Sequence, residues 1–265
     1  MTAWDGLRAF IIDMDGVLWE GRRPLPGLAE FFAALRAGGY GFILATNNAS
    51  QTPEQYLAKL AGFGVTVQRQ EVLTSAQAAA AYLRRRHPAG TRVFPIGEDG
   101  VRQALTEQGF VLTDLYEPDA ALVVVGMDRG LSWDKLATAT LHIRAGALFV
   151  GTNPDRTIPT ERGITHGNGA VLAALQAATD VRPLIIGKPE PTMYQIALER
   201  LGVAPAEAAA IGDRLDTDIL GAARAGMRSL LVLSGVSQRA DLAGAEAPPT
   251  WVLDDIQAVT RALGR

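Results

Sequence analysis

The chain has 265 residues, 20% of them charged and 48% hydrophobic, the profile of a packed globular protein rather than a disordered one. Basic and acidic residues nearly balance, 25 against 28, and the net charge of −3 excludes a general attraction to nucleic acid or to an anionic membrane. With no cysteine, disulfides, thiolate metal sites and a cysteine nucleophile are excluded as well.

In chain order, the opening "MTAWDGLRAFIID" has no basic segment followed by a long apolar stretch, so no signal peptide is expected. Short apolar, β-branched runs then recur: "RAFIID" (8–13), "YGFILAT" (40–46), "RVFPIG" (92–97), "ALVVVG" (121–126), "ALFVGT" (147–152), "PLIIGK" (183–188), "AAAIGD" (208–213), "SLLVLSG" (229–235) and "TWVLDD" (250–255). The longest, "AALVVVG", is far below the roughly 20 residues that span a bilayer, so a cytoplasmic protein without membrane contact is expected. Between the runs lie amphipathic stretches such as "GLAEFFAALRAGG", "TPEQYLAKLAGFG", "SWDKLATATLHIRAG" and "TMYQIALERLG". Continuous apolar strands alternating with helices predict an α/β fold of βαβ units, with parallel sheets covered on both faces. At this length two sheets in two domains are expected.

Four strand tips carry chemistry. The first, "FIIDMDGVLW", puts Asp13 and Asp15 one residue apart, directly after a buried run. Two carboxylates so close repel unless one is protonated or a cation lies between them. Magnesium, which takes one or two carboxylates plus waters and phosphate oxygens, suits such a pair. An ordinary turn capped by Asp explains the pair equally well by itself. The second tip, "ATNNAS", offers the Thr46 hydroxyl, Asn47, Asn48 and backbone amides ahead of a helix starting near Pro53, as an anion cradle or as a plain capped turn. In the third, "IIGKPEP", Lys188 stands between Gly187 and Pro189. The fourth, "AIGDRLDTDILGA", supplies Asp213, Asp216 and Asp218; a helix N-terminus accounts for Asp216 but less well for Asp213, which precedes the turn. Ligands of open parallel sheets bind at the carboxyl ends of the strands. Together these tips hold the nucleophile, carboxylates for a metal, amide donors and cation that phosphoryl transfer requires.

"DMDGV", "TNN", "GKPEP" and "GDRLDTDI" resemble, in order and spacing over essentially the whole chain, the four motifs of the haloacid dehalogenase superfamily. The interval from Asp15 to Thr46 is too short for a domain, and that from Thr46 to Lys188 is long enough for one. That placement resembles the subfamily with an α/β cap after the second motif, the NagD-like or p-nitrophenylphosphatase-like group, as do "GTNPDRTIPTERG" and "GNGAVLAALQAA". The resemblance implies a Rossmann-like core from 1–83 and 183–265 and an inserted α/β cap from 84–182. It implies a phosphatase for a small phosphorylated metabolite, with Asp13 as nucleophile forming an aspartyl phosphate and Asp15 as general acid and base. Mg²⁺ would be held by Asp13, the Asp15 carbonyl and Asp213. Thr46 and Asn47, with Asn48 beside them, would bind the phosphate, Lys188 would pair with Asp13, and Asp218 would orient Lys188 or metal waters. The family often pairs through its cap, so a homodimer is expected. A phosphotransferase or mutase, and a non-catalytic phospho-ligand sensor, are the alternative readings.

Other features are read as structural. His87, His142 and His166 lack metal-ligand spacing, Arg84–Arg86 lie near a helix end, and "GNGA" reads as a tight turn into a helix. "GMDRG" (126–130) is a loop or a substrate contact. The stretch 153–162, with Asp155, Arg156, Ile158, Glu161 and Arg162, is the candidate specificity loop. Trp19 and Glu20 have no assigned role.

Overall fold

The computed structural model describes residues 4–160 and 162–264. The chain opens with strand β1 (Ala9–Ile12), a two-stranded ribbon of β2 (Trp19–Glu20) and β3 (Arg23–Pro24), helix α1 (Leu28–Ala37) and strand β4 (Gly41–Thr46). Helix α2 (Pro53–Gly62), strand β5 (Val72–Thr74), helix α3 (Ser75–Arg84), strand β6 (Arg92–Ile96), helix α4 (Asp99–Glu107) and strands β7 (Val111–Leu112) and β8 (Leu122–Val125) follow. Next come α5 (Trp133–Arg144), β9 (Leu148–Gly151), the hairpin β10 (Thr157–Thr160) and β11 (Gly163–His166), α6 (Asn168–Thr179) and β12 (Leu184–Ile185). The chain ends with α7 (Pro191–Leu201), β13 (Ala208–Gly212), α8 (Leu220–Arg224), β14 (Arg228–Val232), β15 (Trp251–Leu253) and α9 (Ile256–Leu263). The fold is α/β with parallel sheets, and each of the nine apolar runs contains a strand. No helix among the described residues is long and apolar enough to cross a membrane.

Local chemistry explains the helix ends. Thr74 Oγ1 accepts from the Gln77 amide while Gln77 Oε1 accepts from the Thr74 amide, a reciprocal cap that starts α3. Ser132 and Asp255 cap α5 and α9 in the same one-sided way, each accepting from the amide three residues on. Pro191 opens α7, where a missing N–H costs nothing, and Gly202 closes it in the left-handed region.

Packing divides the chain into two compact units: Met1–Thr46 with Glu54–Leu73 and Lys188–Arg265, and Asn47–Pro53 with Thr74–Gly187. The first contains a six-stranded sheet in the order β15-β14-β13-β1-β4-β5. Strand β1 runs parallel to both β13 and β4, with Ile12 level with Ile211 on one side and Leu44 on the other. That register brings the carboxyl ends of three strands abreast. Its core is built around Phe10, Ile12, Phe31, Leu44, Ile211 and Leu230, all buried. The second unit has a five-stranded parallel sheet, β12-β9-β8-β6-β7, over a core including Phe94, Val123, Phe149 and Leu172.

Two expectations about segment membership are corrected. The run 183–188 pairs only through Leu184–Ile185, and its partner is β9 of the second sheet, so Lys188 does not end a strand of the first sheet. Helix α3 packs with the second unit, which takes in Asn47–Pro53 and whose long segment runs Thr74–Gly187, against the expected 84–182. Pro88 and Gly90 stop α3, and stopping a helix does not mark a change of core. The stretch 153–162 also contains strand β10, paired antiparallel with β11 so that Ile158 faces Thr165.

Candidate active site

The carboxyl edge of the first unit's sheet gathers buried charge. Asp13 follows β1, and its amide donates to the Ile211 carbonyl at 2.8 Å, extending the ladder one residue. Gly16 then turns the chain at φ 81, a conformation that glycine adopts without steric cost. A Cβ there would lie 2.5 Å from Asp213 Oδ2, so the turn must also be bare to pass that carboxylate. Lys188 enters the same place with 3% of its side chain exposed. Its Nζ donates to Asp218 Oδ1 at 2.6 Å, to the Ala45 carbonyl at 3.0 Å and to Asp13 Oδ1. An ammonium has three donors, and each has an acceptor here.

Asp213 is held from behind. Its Oδ2 accepts from the Val236 amide at 2.7 Å, and its carbonyl accepts from the Ser237 amide at 3.0 Å. A Cβ on Gly235 would lie 2.0 Å from Oδ2, so only glycine lets this loop close on the carboxylate. A π-helical turn, Leu215–Ile219, then brings Asp218 back to the strand tip. Asp218 Oδ2 accepts from the Arg214 amide at 3.2 Å, and Tyr194 donates its hydroxyl to the Asp218 carbonyl at 3.0 Å. Asp216 points outward and pairs with Arg214 at 2.9 Å.

These carboxylates outnumber their cation. Burial pushes the Asp13 carboxyl well up, against the pull of Lys188, and Asp218 and Asp213 add to the rise. Burial opposes the charge on Lys188, yet Asp13 and Asp218 together outweigh it and hold the ammonium well above an ordinary lysine. Asp213 is pushed up to about 6, first by burial and then by Asp218, with the Val236 amide pulling the other way. One oxygen of each of Asp13, Asp213 and Asp218 lies within 4.8 Å of the others, a possible metal-binding group among the described residues. Asp218 uses both oxygens on Lys188 and the Arg214 amide, whereas Asp213 Oδ1 is buried with no hydrogen-bond partner. A buried carboxylate oxygen with no partner is costly unless something positive meets it. The all-oxygen donor set therefore fits a hard divalent cation held by Asp13 and Asp213.

The remaining expected residues divide. Thr46, buried, ends β4 and the opening segment of the first unit. Asn47 and Asn48 open the second. The Asn47 carbonyl accepts from Ser75 Oγ at 2.7 Å and from Asn153 Nδ2 at 2.8 Å, and its own Nδ2 faces the Asp155 carboxylate at 3.3 and 3.4 Å. Asn48 Oδ1 accepts from the amide and hydroxyl of Ser50, the local bonding of an Asx turn. Asp15 is exposed; its Oδ1 accepts from Trp19 Nε1 at 2.7 Å, and its carboxylate takes no part in the acidic group.

Sequence reasoning named Trp19 without giving it a role and did not single out Tyr194 or the loop 234–237. The loop had a visible signal: "SGVS" follows a buried run at the same relative place as the other tips. Tyr194 had none, since a tyrosine in an amphipathic helix reads as packing. In the second unit "GNG" proves more than a turn. A Cβ on Gly167 would lie 2.3 Å from the Asp155 carbonyl and one on Gly169 2.3 Å from that of Pro154, so both glycines let residues 153–156 lie against the start of α6. Asn168 Nδ2 binds the Val125 and Asn153 carbonyls at 3.1 and 2.9 Å. Of the other candidates in this stretch, Arg156 and Arg162 are exposed, and Glu161 lies outside the described residues. His142 is buried in α5 against Phe94, a structural residue.

Comparison with known proteins is consistent along the chain. A haloacid dehalogenase-like hydrolase model matches residues 10–111, and a HAD-hydrolase-like model matches residues 185–259. An acid sugar phosphatase of Staphylococcus aureus is 40% identical over 249 residues, 94% of this chain and 95% of that protein. Among solved structures, a 4-nitrophenylphosphatase from Thermotoga maritima superposes with a TM-score of 0.93 at 32% identity, covering 99% of this chain and 100% of that one. A glycerol phosphate phosphatase from Mycobacterium tuberculosis, crystallised with magnesium, gives 0.90 at 37% identity, covering 99% of this chain and 78% of that one.

Proposed function

The chain belongs to the haloacid dehalogenase-like hydrolases and is a phosphatase, and from that premise we propose that it hydrolyses small phosphorylated polyols or sugars through an aspartyl phosphate on Asp13. The observation that carries this reading is the buried Lys188 ammonium, shared between Asp13, Asp218 and the Ala45 carbonyl beside the partnerless oxygen of Asp213. A lysine so committed keeps one oxygen of Asp13 in place and its charge compensated. The other oxygen attacks phosphorus.

In the first step a bond forms between an Asp13 carboxylate oxygen and phosphorus while the phosphorus–ester oxygen bond breaks. The electron pair stays on the ester oxygen, which takes a proton from Asp15 and leaves as the alcohol. In the second, Asp15, now a carboxylate, removes a proton from water as that water attacks phosphorus. Phosphate leaves and the Asp13 carboxylate is restored. Lys188 stays charged throughout and offsets the anionic transition state. Thr46 and the amides after it are the candidate donors to the phosphate oxygens. Asp13, Asp213 and the Asp15 carbonyl are the groups that would hold Mg²⁺, which when bound neutralises charge on the phosphate. The neighbour crystallised with magnesium supports this choice of ion. We assign the second unit the role of a cap, with residues 153–156 as its specificity element. The acid sugar and glycerol phosphate phosphatases among the relatives support the substrate class.

Asp13→Asn keeps shape and removes the nucleophile. Turnover of glycerol phosphates and p-nitrophenyl phosphate should fall by at least about a thousandfold. Hydroxylamine quenching of the wild type should leave a hydroxamate on Asp13, read by mass spectrometry. Retained turnover in the variant, or a hydroxamate elsewhere, would overturn the assignment. Phosphorylated product in place of free phosphate would instead mark a transferase.

A further inference from the structure

Trp19 is fully buried, as expected for an indole in an apolar stretch, yet packing does not account for where its one polar atom points. Its Nε1–H donates to Asp15 Oδ1 at 2.7 Å. The backbone closes the same turn, because the Gly16 amide donates to the Trp19 carbonyl at 2.8 Å and Asp15 bridges to Trp19. The ring is fixed in turn. Tyr56 stacks on it with centroids 6.4 Å apart, Phe63 lies at 6.1 Å, and Lys59 Nζ sits 4.1 Å from the ring centroid.

On the reading of Asp15 as the acid and base of this phosphatase, we infer that Trp19 is a positioning residue that confines the transferable proton of Asp15 to Oδ2. An indole N–H donates and never accepts. While that bond stands, Oδ1 stays an acceptor, and the proton given to the leaving oxygen resides on the other oxygen. The bond also holds an otherwise exposed side chain in one rotamer, so the proton is aimed before substrate arrives. Lys59 over the ring face draws on the π-system and makes the N–H a stronger donor. Its ammonium is pushed down by partial burial, and the Asp15 charge opposes that push, so Lys59 responds to the same carboxylate.

Leaving-group dependence tests this. The ratio kcat/KM reports every step up to departure of the alcohol, and a p-nitrophenolate leaves with little help from an acid whereas an alkoxide needs it. Trp19→Phe retains a ring and deletes the N–H. Relative to wild type, its kcat/KM should fall about tenfold or more with glycerol phosphate and about threefold or less with p-nitrophenyl phosphate, the size expected for losing one hydrogen bond to a charged group. Replacing Trp19 by benzothienylalanine, whose sulfur takes the place of the N–H in a ring of the same outline, should repeat the pattern and covers the case in which the phenylalanine variant fails to fold. Lys59→Met should shift the ratio in the same direction by less. Equal losses with both substrates, or none, would overturn the inference. Asp15→Ala separates the two readings: a steeper leaving-group dependence there but not at Trp19 sinks only the positioning role. No such dependence in Asp15→Ala sinks Asp15 as the acid and the inference with it.

Discussion

The two parallel sheets end in opposite chemistries. At the carboxyl edge of the first, Asp13, Lys188, Asp213 and Asp218 turn inward, and the lysine and the two later aspartates are almost wholly buried. At the edge of the second, the buried groups are neutral: Thr152, Asn153 and Asn168, the two asparagines donating to backbone carbonyls. Its ion pairs reach solvent through their cations, the exposed Arg129 with Glu98 at 2.7 Å and the partly exposed Lys135 with the deeper Asp128 at 2.7 Å. The same architecture therefore serves two ends. A buried, imbalanced charge cluster has the charge and the oxygen donors that an ion and a phosphate call for, and stores the cost of assembling them. A buried amide network holds a loop in one shape without attracting either.

The largest effect should come from removing the cation that balances the first edge. Lys188→Met fills the space and leaves Asp13 and Asp218 buried without it. Breaking a buried pair by deleting one partner costs about 3–5 kcal/mol, most of it the penalty of the stranded charge. We expect that loss in the denaturant midpoint, together with loss of turnover. Asp218→Asn in the same background should return part of the stability, because it removes one of the stranded carboxylates. A Lys188→Met protein as stable as wild type would erase the contrast between the edges.

A smaller effect sharpens the comparison through pH. Without metal, the Asp213 carboxyl titrates at about 6 in the folded protein against an ordinary value of 3.8. Between those values the folded state keeps a proton that the unfolded state releases. The stability this lends is fully present below about 3.8 and is lost as pH rises through about 6, a change of at most about 3 kcal/mol. Asp13 is shifted in the same direction and adds to the slope. Thermal unfolding in chelator should thus show a lower midpoint at pH 7.5 than at pH 5, magnesium should raise the midpoint at pH 7.5, and Asp213→Asn should flatten the chelator slope. An unchanged slope in that variant would remove Asp213 from the account.

How much of this was legible follows from what each residue type can mean. All nine apolar runs contain strands, because a buried parallel strand has no other reading at that length. Sheet membership was not legible: the run at 183–188 looks like the others, and only pairing with β9 assigns Leu184–Ile185 to the second sheet. The strands β2, β3, β5 and β7, each two or three residues long, are too short to leave a period. At the site, Asp13 and Asp213 stood out because a carboxylate beside a buried run needs an explanation, and Lys188 gained weight only beside the other strand tips. Trp19 did not, since burial explains an indole well enough until the direction of its N–H is seen. The split of Thr46 from Asn47 and Asn48 between two units was equally hidden, because a continuous "TNN" gives no sign that packing changes there.

The smallest effect belongs to the second edge. Arg129 reaches both oxygens of Glu98, at 2.9 and 2.7 Å, with its side chain 68% exposed. Water already reaches most of Arg129, so Arg129→Ala should cost less than about 1 kcal/mol. Glu98 keeps a partner in the variant, because the residue 129 amide also donates to its Oε1, at 3.0 Å in the native chain. The loss should shrink further in 1 M salt, where screening acts over about 3 Å. Lys188→Met should keep most of its deficit in the same monovalent salt, since buried carboxylates are screened much less than exposed ones. A salt-resistant loss of several kcal/mol at Arg129 would mean that the second edge, too, depends on a buried charge, and the division of labour between the sheets would have to be given up.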